Sequence, residues 1–364
     1  MNDDTVLVTG ATGLLGLAVL RDLQAGSKIG RAHVLVRDPR RWSALAATLP
    51  RGREVTPLAG DVTLPGLGLD AAARSILARR ATTILHLAAD TRFSQTLDDA
   101  RAVNTAGTQN VLDLGTAIPG IRRIAYVSTA FVAGRVTGTV AERDNGSEAG
   151  WSNAYEQSKY EAESLVRRWE REWVILRPSI VVCDSTAGGI SQINALHRAL
   201  RLYHHGLAPM VPGDESALVD VVCADYVARG IAQLAFRDAS AGETYHLCSG
   251  EGALPLGELL DMTWEIWSRS RDWRRRSIAR PALTDLATYR LFERTVEEVG
   301  EIRLRRAVAA LTHFVPQLAY PKCFDTSRAD TALGGAAPAA RTYWPTVIEE
   351  LLAGGWAARL RRAA

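Results

Sequence analysis

The stretch ThrGlyAlaThrGlyLeuLeuGly, Thr9 to Gly16, follows the apolar run Val6, Leu7, Val8 and precedes the helical pattern LeuAlaValLeuArgAspLeu, Leu17 to Leu23. A strand, a glycine-rich turn and a helix in this order read as a dinucleotide-binding turn. Gly10 takes backbone angles that a side chain forbids, Gly13 lets the chain approach a pyrophosphate, and Gly16 lets the helix pack tightly. Thr9, Thr12, Leu14 and Leu15 complete the cradle, with phosphate oxygens expected on the first free N–H groups of the helix. The turn therefore predicts a redox enzyme, against the plainer alternative of a merely tight strand-to-helix turn.

Outward from the turn, short β-branched runs alternate with amphipathic stretches: Val6–Val8, Ala32–Val36, Val55–Leu58, Ile84–Leu87, Ile124–Val127 and Val174–Leu176. This repetition predicts an α/β fold, a Rossmann-type doubly wound parallel sheet with helices on both faces. Past about residue 180 the pattern loosens into Gly- and Pro-containing loops, Thr186–Gly189 and Gly206–Asp214. Val219–Val227 and Glu243–Leu247 read as returns to the sheet. The expected division is an NADP-binding domain over residues 1–182, with returns at about 214–248. A smaller, mainly helical substrate-binding region takes 183–213 and 249–364.

Composition narrows the function classes. With 364 residues, 47% apolar content and a net charge of +3, the chain reads as a soluble globule with no call for nucleic acid. Cys183, Cys223, Cys248 and Cys323 form no CxxC and fit packing residues better than a metal site or disulfide frame. No run reaches the roughly 18 apolar residues of a membrane span. The first strand begins too early for a signal peptide, so a cytoplasmic protein is expected.

Two constellations carry the chemistry. At the end of the second strand, where NAD enzymes place an acid for the ribose 2′-hydroxyl, stands Arg37, with Arg40 and Arg41 beyond; a guanidinium there attracts a 2′-phosphate and favours NADPH over NADH. Asp38 keeps the ribose alternative open. Gly60, Asp61 and Val62 end the third strand, where Asp61 either accepts from the adenine amino group or closes a turn. Further on, TyrGluGlnSerLys, Tyr155 to Lys159, opens a helical stretch, and residues four apart share a helix face. A phenol with a reference pKa near 10 benefits from a neighbouring ammonium that stabilises phenolate. Lys159 supplies one and can bind the nicotinamide ribose. The strand-end sequence TyrValSerThrAlaPheValAlaGly, Tyr126 to Gly134, delivers Thr129 at the carboxyl edge of the sheet, where ligands of such folds bind.

Together these motifs resemble the extended short-chain dehydrogenase/reductase superfamily, whose glycine turn also follows the GxxGxxG spacing. Within it the chain is most similar to the fatty acyl-CoA reductases and thioester reductase domains. That narrower match rests on Gly60–Leu69, HisLeuAlaAlaAspThrArgPhe (His86–Phe93), AsnThrAlaGlyThr (Asn104–Thr108) and ValSerThrAlaPheVal (Val127–Val132). The resemblance implies a catalytic triad of Thr129, Tyr155 and Lys159 with Ser128 beside it. It also implies that Leu87, Ala88 and Ala89 line the cofactor and that Pro178, Ser179 and Ile180 approach the nicotinamide. Phe131 stands where the family often has Tyr.

Other polar residues have plainer readings. His86 is expected to be packed and hydrogen-bonded, and Asn104, near the cofactor, to brace strand against helix. Arg92 and Phe93 either touch substrate or pack at the surface, and Phe131 joins them as a substrate candidate. His204 and His205 lack metal-ligand spacing. Arg269–Arg280 holds six arginines against one aspartate; it is either a solvated face or a docking patch for the phosphates of coenzyme A or an acidic carrier protein. Trp264 and Trp267 read as core. The leading expectation is hydride transfer from NADPH to an acyl thioester on coenzyme A or a carrier protein, giving an aldehyde or, after a second hydride, an alcohol. Reduction of a free ketone or aldehyde, nucleotide-sugar epimerisation and non-catalytic NADP binding are the alternatives.

Overall fold

Seven runs of the chain are extended and buried: β1 (Thr5–Thr9), β2 (Arg31–Val36), β3 (Val55–Ala59), β4 (Ala81–His86), β5 (Arg123–Val127), β6 (Glu172–Pro178) and β7 (Glu243–Leu247). The computed structural model describes residues 5–26, 30–50, 52, 54–184, 190, 192–312 and 314–356. The side chain of Arg41 and the loop expected at Thr186–Gly189 lie outside the described residues. The strands form one sheet in the order β3-β2-β1-β4-β5-β6-β7, and every pairing is parallel. Strands β1 and β5 are buried along their whole length, which is why they read as continuous apolar runs without polar alternation.

Successive residues serve opposite cores, as a period of two requires. Val6 and Val8 pack with Leu17 and Leu20 of α1 (Leu14–Ala25), whereas Leu7 joins Ile84, Ile124 and Val111 on the other face. The layers that follow in the chain are α2 (Leu97–Asn104), α3 (Ala106–Ala117), α4 (Ala154–Arg167), α5 (Ala195–His204), α6 (Ala224–Leu234), α7 (Leu256–Ser268), α8 (Leu286–Val299), α9 (Ile302–Leu311) and α10 (Ala340–Ala353). Strand order reverses between β1 and β4, so the crevice at their carboxyl ends is the expected ligand position of an open α/β sheet.

Two expectations are corrected. Glu243–Leu247 does return as the edge strand β7, but Val219–Val227 does not join the sheet. It divides into Leu218–Val219, paired with Leu254–Pro255, then Val221–Cys223, paired with Ile180–Cys183, and then enters α6, which packs on α1. The fourth strand ends at His86 instead of Leu87, although Leu87 N still donates to Thr9 O of β1. The carboxyl-terminal half is mainly helical and is stitched back to the sheet domain by a short strand, Lys322–Phe324, parallel to Gly138–Val140.

The remaining readings resolve by packing. All four cysteines are free, and no group of metal-ligating side chains occurs among the described residues. His204 closes α5 against Trp267 and Trp356, at ring separations of 5.0 and 5.1 Å. Trp267 is core, and Trp264 is partly exposed with its edge toward Trp273. Within the arginine-rich segment, Arg280 pairs with Glu215 and Asp261, and Arg269 with Glu349.

Candidate active site

The glycine turn has the geometry that its sequence demands. Gly10 sits at φ +72°, and a β-carbon there would stand 2.6 Å from Ala88 N; one on Gly16 would stand 2.2 Å from Gly10 O. Gly16 thus lets the helix close onto the turn itself. Gly13 caps α1 with no side-chain hydrogen bond, and the first turn carries no acid. The N-terminal amides of Leu14, Leu15 and Gly16 therefore offer donors and the positive end of a helix dipole to an anion, and the turn fits a dinucleotide pyrophosphate.

A chain of hydrogen bonds joins this turn to α4, the helix of Tyr155 and Lys159. Ala88 N donates to Thr9 Oγ1 (3.2 Å), whose hydroxyl faces His86 Nδ1 (2.6 Å); His86 Nε2 faces Thr108 Oγ1 (3.1 Å), which donates to Asn104 O (2.6 Å). Asn104 Oδ1 accepts from Asp90 N (2.8 Å), and its Nδ2 donates to Ser158 Oγ (2.9 Å) on α4. Thr9 and His86 are thus braces beneath the cofactor turn, and Asn104 ties the segment after β4 to the helix of Tyr155. Burial with Lys159 nearby pushes the His86 imidazole down to about 3, so it stays neutral.

At the end of β2, Arg37 is exposed, and Asp38 Oδ1 accepts from Arg40 N (2.9 Å), closing a turn. After β3, Asp61 Oδ1 accepts from Thr63 N and Thr63 Oγ1, both at 2.9 Å, so one oxygen of Asp61 closes a turn as well. Val62 packs against Gly107, and its carbonyl accepts from Asn110 Nδ2.

Thr129, Tyr155 and Lys159 meet at the carboxyl edge of β5. Thr129 follows Ser128 and caps the turn Ala130–Ala133 through Phe131 N (3.3 Å). Asn153 caps α4 through Glu156 N (3.0 Å), while Glu156 Oε2 reaches back to Ser152 N (2.8 Å), which fixes the first turn that holds Tyr155. Burial pushes the Tyr155 phenol up to about 12, against the pull of the Thr129 hydroxyl. Lys159 is buried, donates from Nζ to Val127 O (2.9 Å) and stands 4.1 Å from the Tyr126 ring centre. Burial lowers it to about 7, with Glu163 working the other way. The expected lowering of the phenol by Lys159 is not found, because the ammonium faces a carbonyl and an aromatic ring.

On the substrate side the Phe93 ring lies 5.6 Å from Tyr155 and stacks on Phe314 at 6.5 Å. Phe314 is part of the wall of an apolar pocket with Leu200, Tyr203, Val211, Leu260 and Leu311. It also borders a second pocket with Phe131, Ile180, Asp220, Gln317 and Lys322. Arg92 pairs with Asp90 at the surface. β6 ends at Pro178, and Ser179 Oγ donates to Asp220 Oδ1 (2.5 Å), whose carboxylate also accepts from Ser249 N and Gly250 N. Phe314, Gln317, Lys322 and Asp220 carry no motif or periodic signal; chain reversals far from the triad bring them here.

The family model described as male sterility protein, an NAD-binding domain, matches residues 8–231, from β1 through most of α6. The chain belongs to this family. The family match spans the glycine turn, Thr129, Tyr155 and Lys159. Among curated relatives, the hybrid PKS-NRPS synthetase gkaA of Penicillium citrinum is 30% identical over 270 residues, 70% of this chain and 6% of that protein. The fatty acyl-CoA reductase wat of Drosophila melanogaster is 30% identical over 145 residues, 35% of this chain and 28% of the relative. The chain thus spans under a third of either relative's length. Among solved structures, the terminal R domain of the myxalamid PKS-NRPS pathway superposes with a TM-score of 0.77 at 24% identity, covering 99% of this chain and 93% of that domain. Among the described residues, no helix of this male sterility family member is long and apolar enough to cross a membrane.

Proposed function

We propose that the chain is an NADPH-dependent reductase of acyl thioesters delivered on coenzyme A or a carrier protein. The observation that carries this reading is the meeting of Thr129, Tyr155 and Lys159 at the sheet edge, joined through the ring contacts of Tyr155 with Phe93 and of Phe93 with Phe314 to the wall of an apolar pocket. The names of the relatives, reductase and synthetase alike, support it.

Leu14–Gly16 would hold the pyrophosphate of NADPH, Arg37 and Arg40 would hold its 2′-phosphate, and Leu87–Ala89 and Pro178–Ile180 would line it; such a cofactor would supply the hydride. Thr129 and Tyr155 donate to the oxyanion that develops on the thioester carbonyl, the electrostatic contribution that is usually largest. Tyr155, protonated at neutral pH, gives up the proton. Collapse of the hemithioacetal expels a thiol and leaves an aldehyde, and the acyl tail occupies the apolar pocket. Purified protein with NADPH and acyl-CoA or acyl-pantetheine should release one thiol for the first NADPH consumed. NADPH loss without thiol overturns the thioester reading in favour of a free carbonyl substrate.

A further inference from the structure

Behind Phe131, two residues past Thr129, lies a pocket whose wall includes an ammonium. Lys322 is 8% exposed, and Nζ donates to Gly134 O. No carboxylate lies within ion-pair distance of it among the described residues. Glu156, the nearest acid to act on it, is occupied by Ser152 N, Asn153 Nδ2 and Gln317 Nε2. An ammonium has three donors, and a buried donor left unmade is costly. The pocket is bounded on the reaction side by Phe131 and Ile180, and Gln317 and Asp220 are its other polar walls. Burial brings Lys322 down to about 8, so it remains mostly charged at neutral pH.

We propose that Lys322 binds a neutral carbonyl oxygen of the substrate a short distance from the reacting thioester. The charge balance selects a neutral acceptor. Glu156 and Asp220 already set two acids against one base around this pocket, so an added carboxylate or phosphate would meet repulsion. A carbonyl oxygen needs only a donor. The apolar pocket takes the alkyl tail, so the adjoining pocket, which shares Phe314 with it and carries Lys322 and Gln317 in its wall, suits the other parts of the molecule. Two sources share this chemistry: an amide carbonyl of a pantetheine arm, or an oxo group on the acyl chain next to the thioester.

The proposal rests on the thioester reading, and its test separates the two. Wild type and Lys322→Met are compared with three substrates: acyl-pantetheine, the same acyl group on 2-mercaptoethanol, and its 3-oxo form on 2-mercaptoethanol. In parallel, pantetheine alone is titrated into NADP-loaded protein by calorimetry. A KM raised about tenfold for acyl-pantetheine only, with weakened pantetheine binding, assigns Lys322 to the thiol arm. A rise for the 3-oxo substrate only assigns it to the acyl chain. Lys322→Gln, which keeps an uncharged donor, should recover part of either loss. Equal losses on all three substrates, or weakened NADPH binding, mean a structural role and overturn the proposal. So does unchanged KM throughout, while thiol release in wild type still upholds the thioester reading. No turnover of any thioester by wild type overturns that reading instead, and unaltered pantetheine binding in Lys322→Met then overturns this one too.

Discussion

Tyr155 and Lys159 show what spacing reveals and what it conceals. Their separation of four places them on one helix face, and the structure brings both to the strand end that carries Thr129. Their environment was not legible: burial depends on α4 packing against the sheet, and it drives Tyr155 up and Lys159 down. Tyr155 therefore holds its proton at neutral pH, as the acid proposed for the reductive direction must. Tyr155→Phe should lower kcat by roughly 10²–10⁴-fold with the NADPH Kd unchanged by fluorescence titration; full turnover would remove Tyr155 from the reaction. Arg37→Ala should raise the Kd for NADPH by about tenfold or more, the value of a lost charge-assisted contact, and leave NADH nearly unaffected. Equal losses for both cofactors would refute the 2′-phosphate role. His86 illustrates the plainer outcome, since its position at a strand end reads as packing and the structure holds it between two threonines.

At the scale of elements, α4 is anchored by charge as well as by its apolar face. Arg177 on β6 grips Glu163 through two bonds, Nε to Oε1 at 2.8 Å and Nη2 to Oε2 at 2.7 Å, and both side chains are fully buried. Arg177→Met leaves the buried Glu163 carboxylate with Arg167 as its remaining ion-pair partner (2.9 Å), so the loss in urea unfolding should approach but not exceed the roughly 3–5 kcal/mol of a broken buried pair. The double variant Glu163→Leu, Arg177→Met should recover much of that loss, and a double variant no better than the single would show that the pair acts by shape alone. The strands were legible wherever β-branched runs recur between helical stretches, as in β5 and β7. The run Val219–Val227 misled because a short apolar run reads alike in a strand and at the start of a buried helix. Here it is both, two strand fragments and then α6.

Across the whole molecule, the sheet order follows from βαβ repetition, whereas the substrate side does not. Residues such as Phe314, Gln317 and Lys322 reach the site through pairings more than 150 residues long in sequence, Gln317 with Glu156 and the Lys322 strand with Gly138–Val140. No local pattern encodes such closures. The same burial sets the response to acid. His86 and His246 are pushed down to about 3 and His197 to about 4, all by burial, from an unfolded value of 6.5. The folded state then binds fewer protons than the unfolded state below pH 6.5, so these groups lose stability on acidification. Glu142 and Asp220, raised by burial to about 7 and about 6, work oppositely, since protonation relieves their cost. Burial also lowers His33 and His204 and raises Glu156, so five imidazoles against three carboxyls predict a lower urea midpoint at pH 5 than at pH 7; a higher midpoint at pH 5 would contradict this balance. The central claim is that the site reduces an acyl thioester at its carbonyl carbon, and isotope transfer tests it most directly. NADPH carrying deuterium on the transferred position of C4, incubated with acyl-pantetheine, should give an aldehyde with one deuterium on C1 and an equal amount of free thiol. Unlabelled C1, or labelled product with the thioester intact, would contradict it.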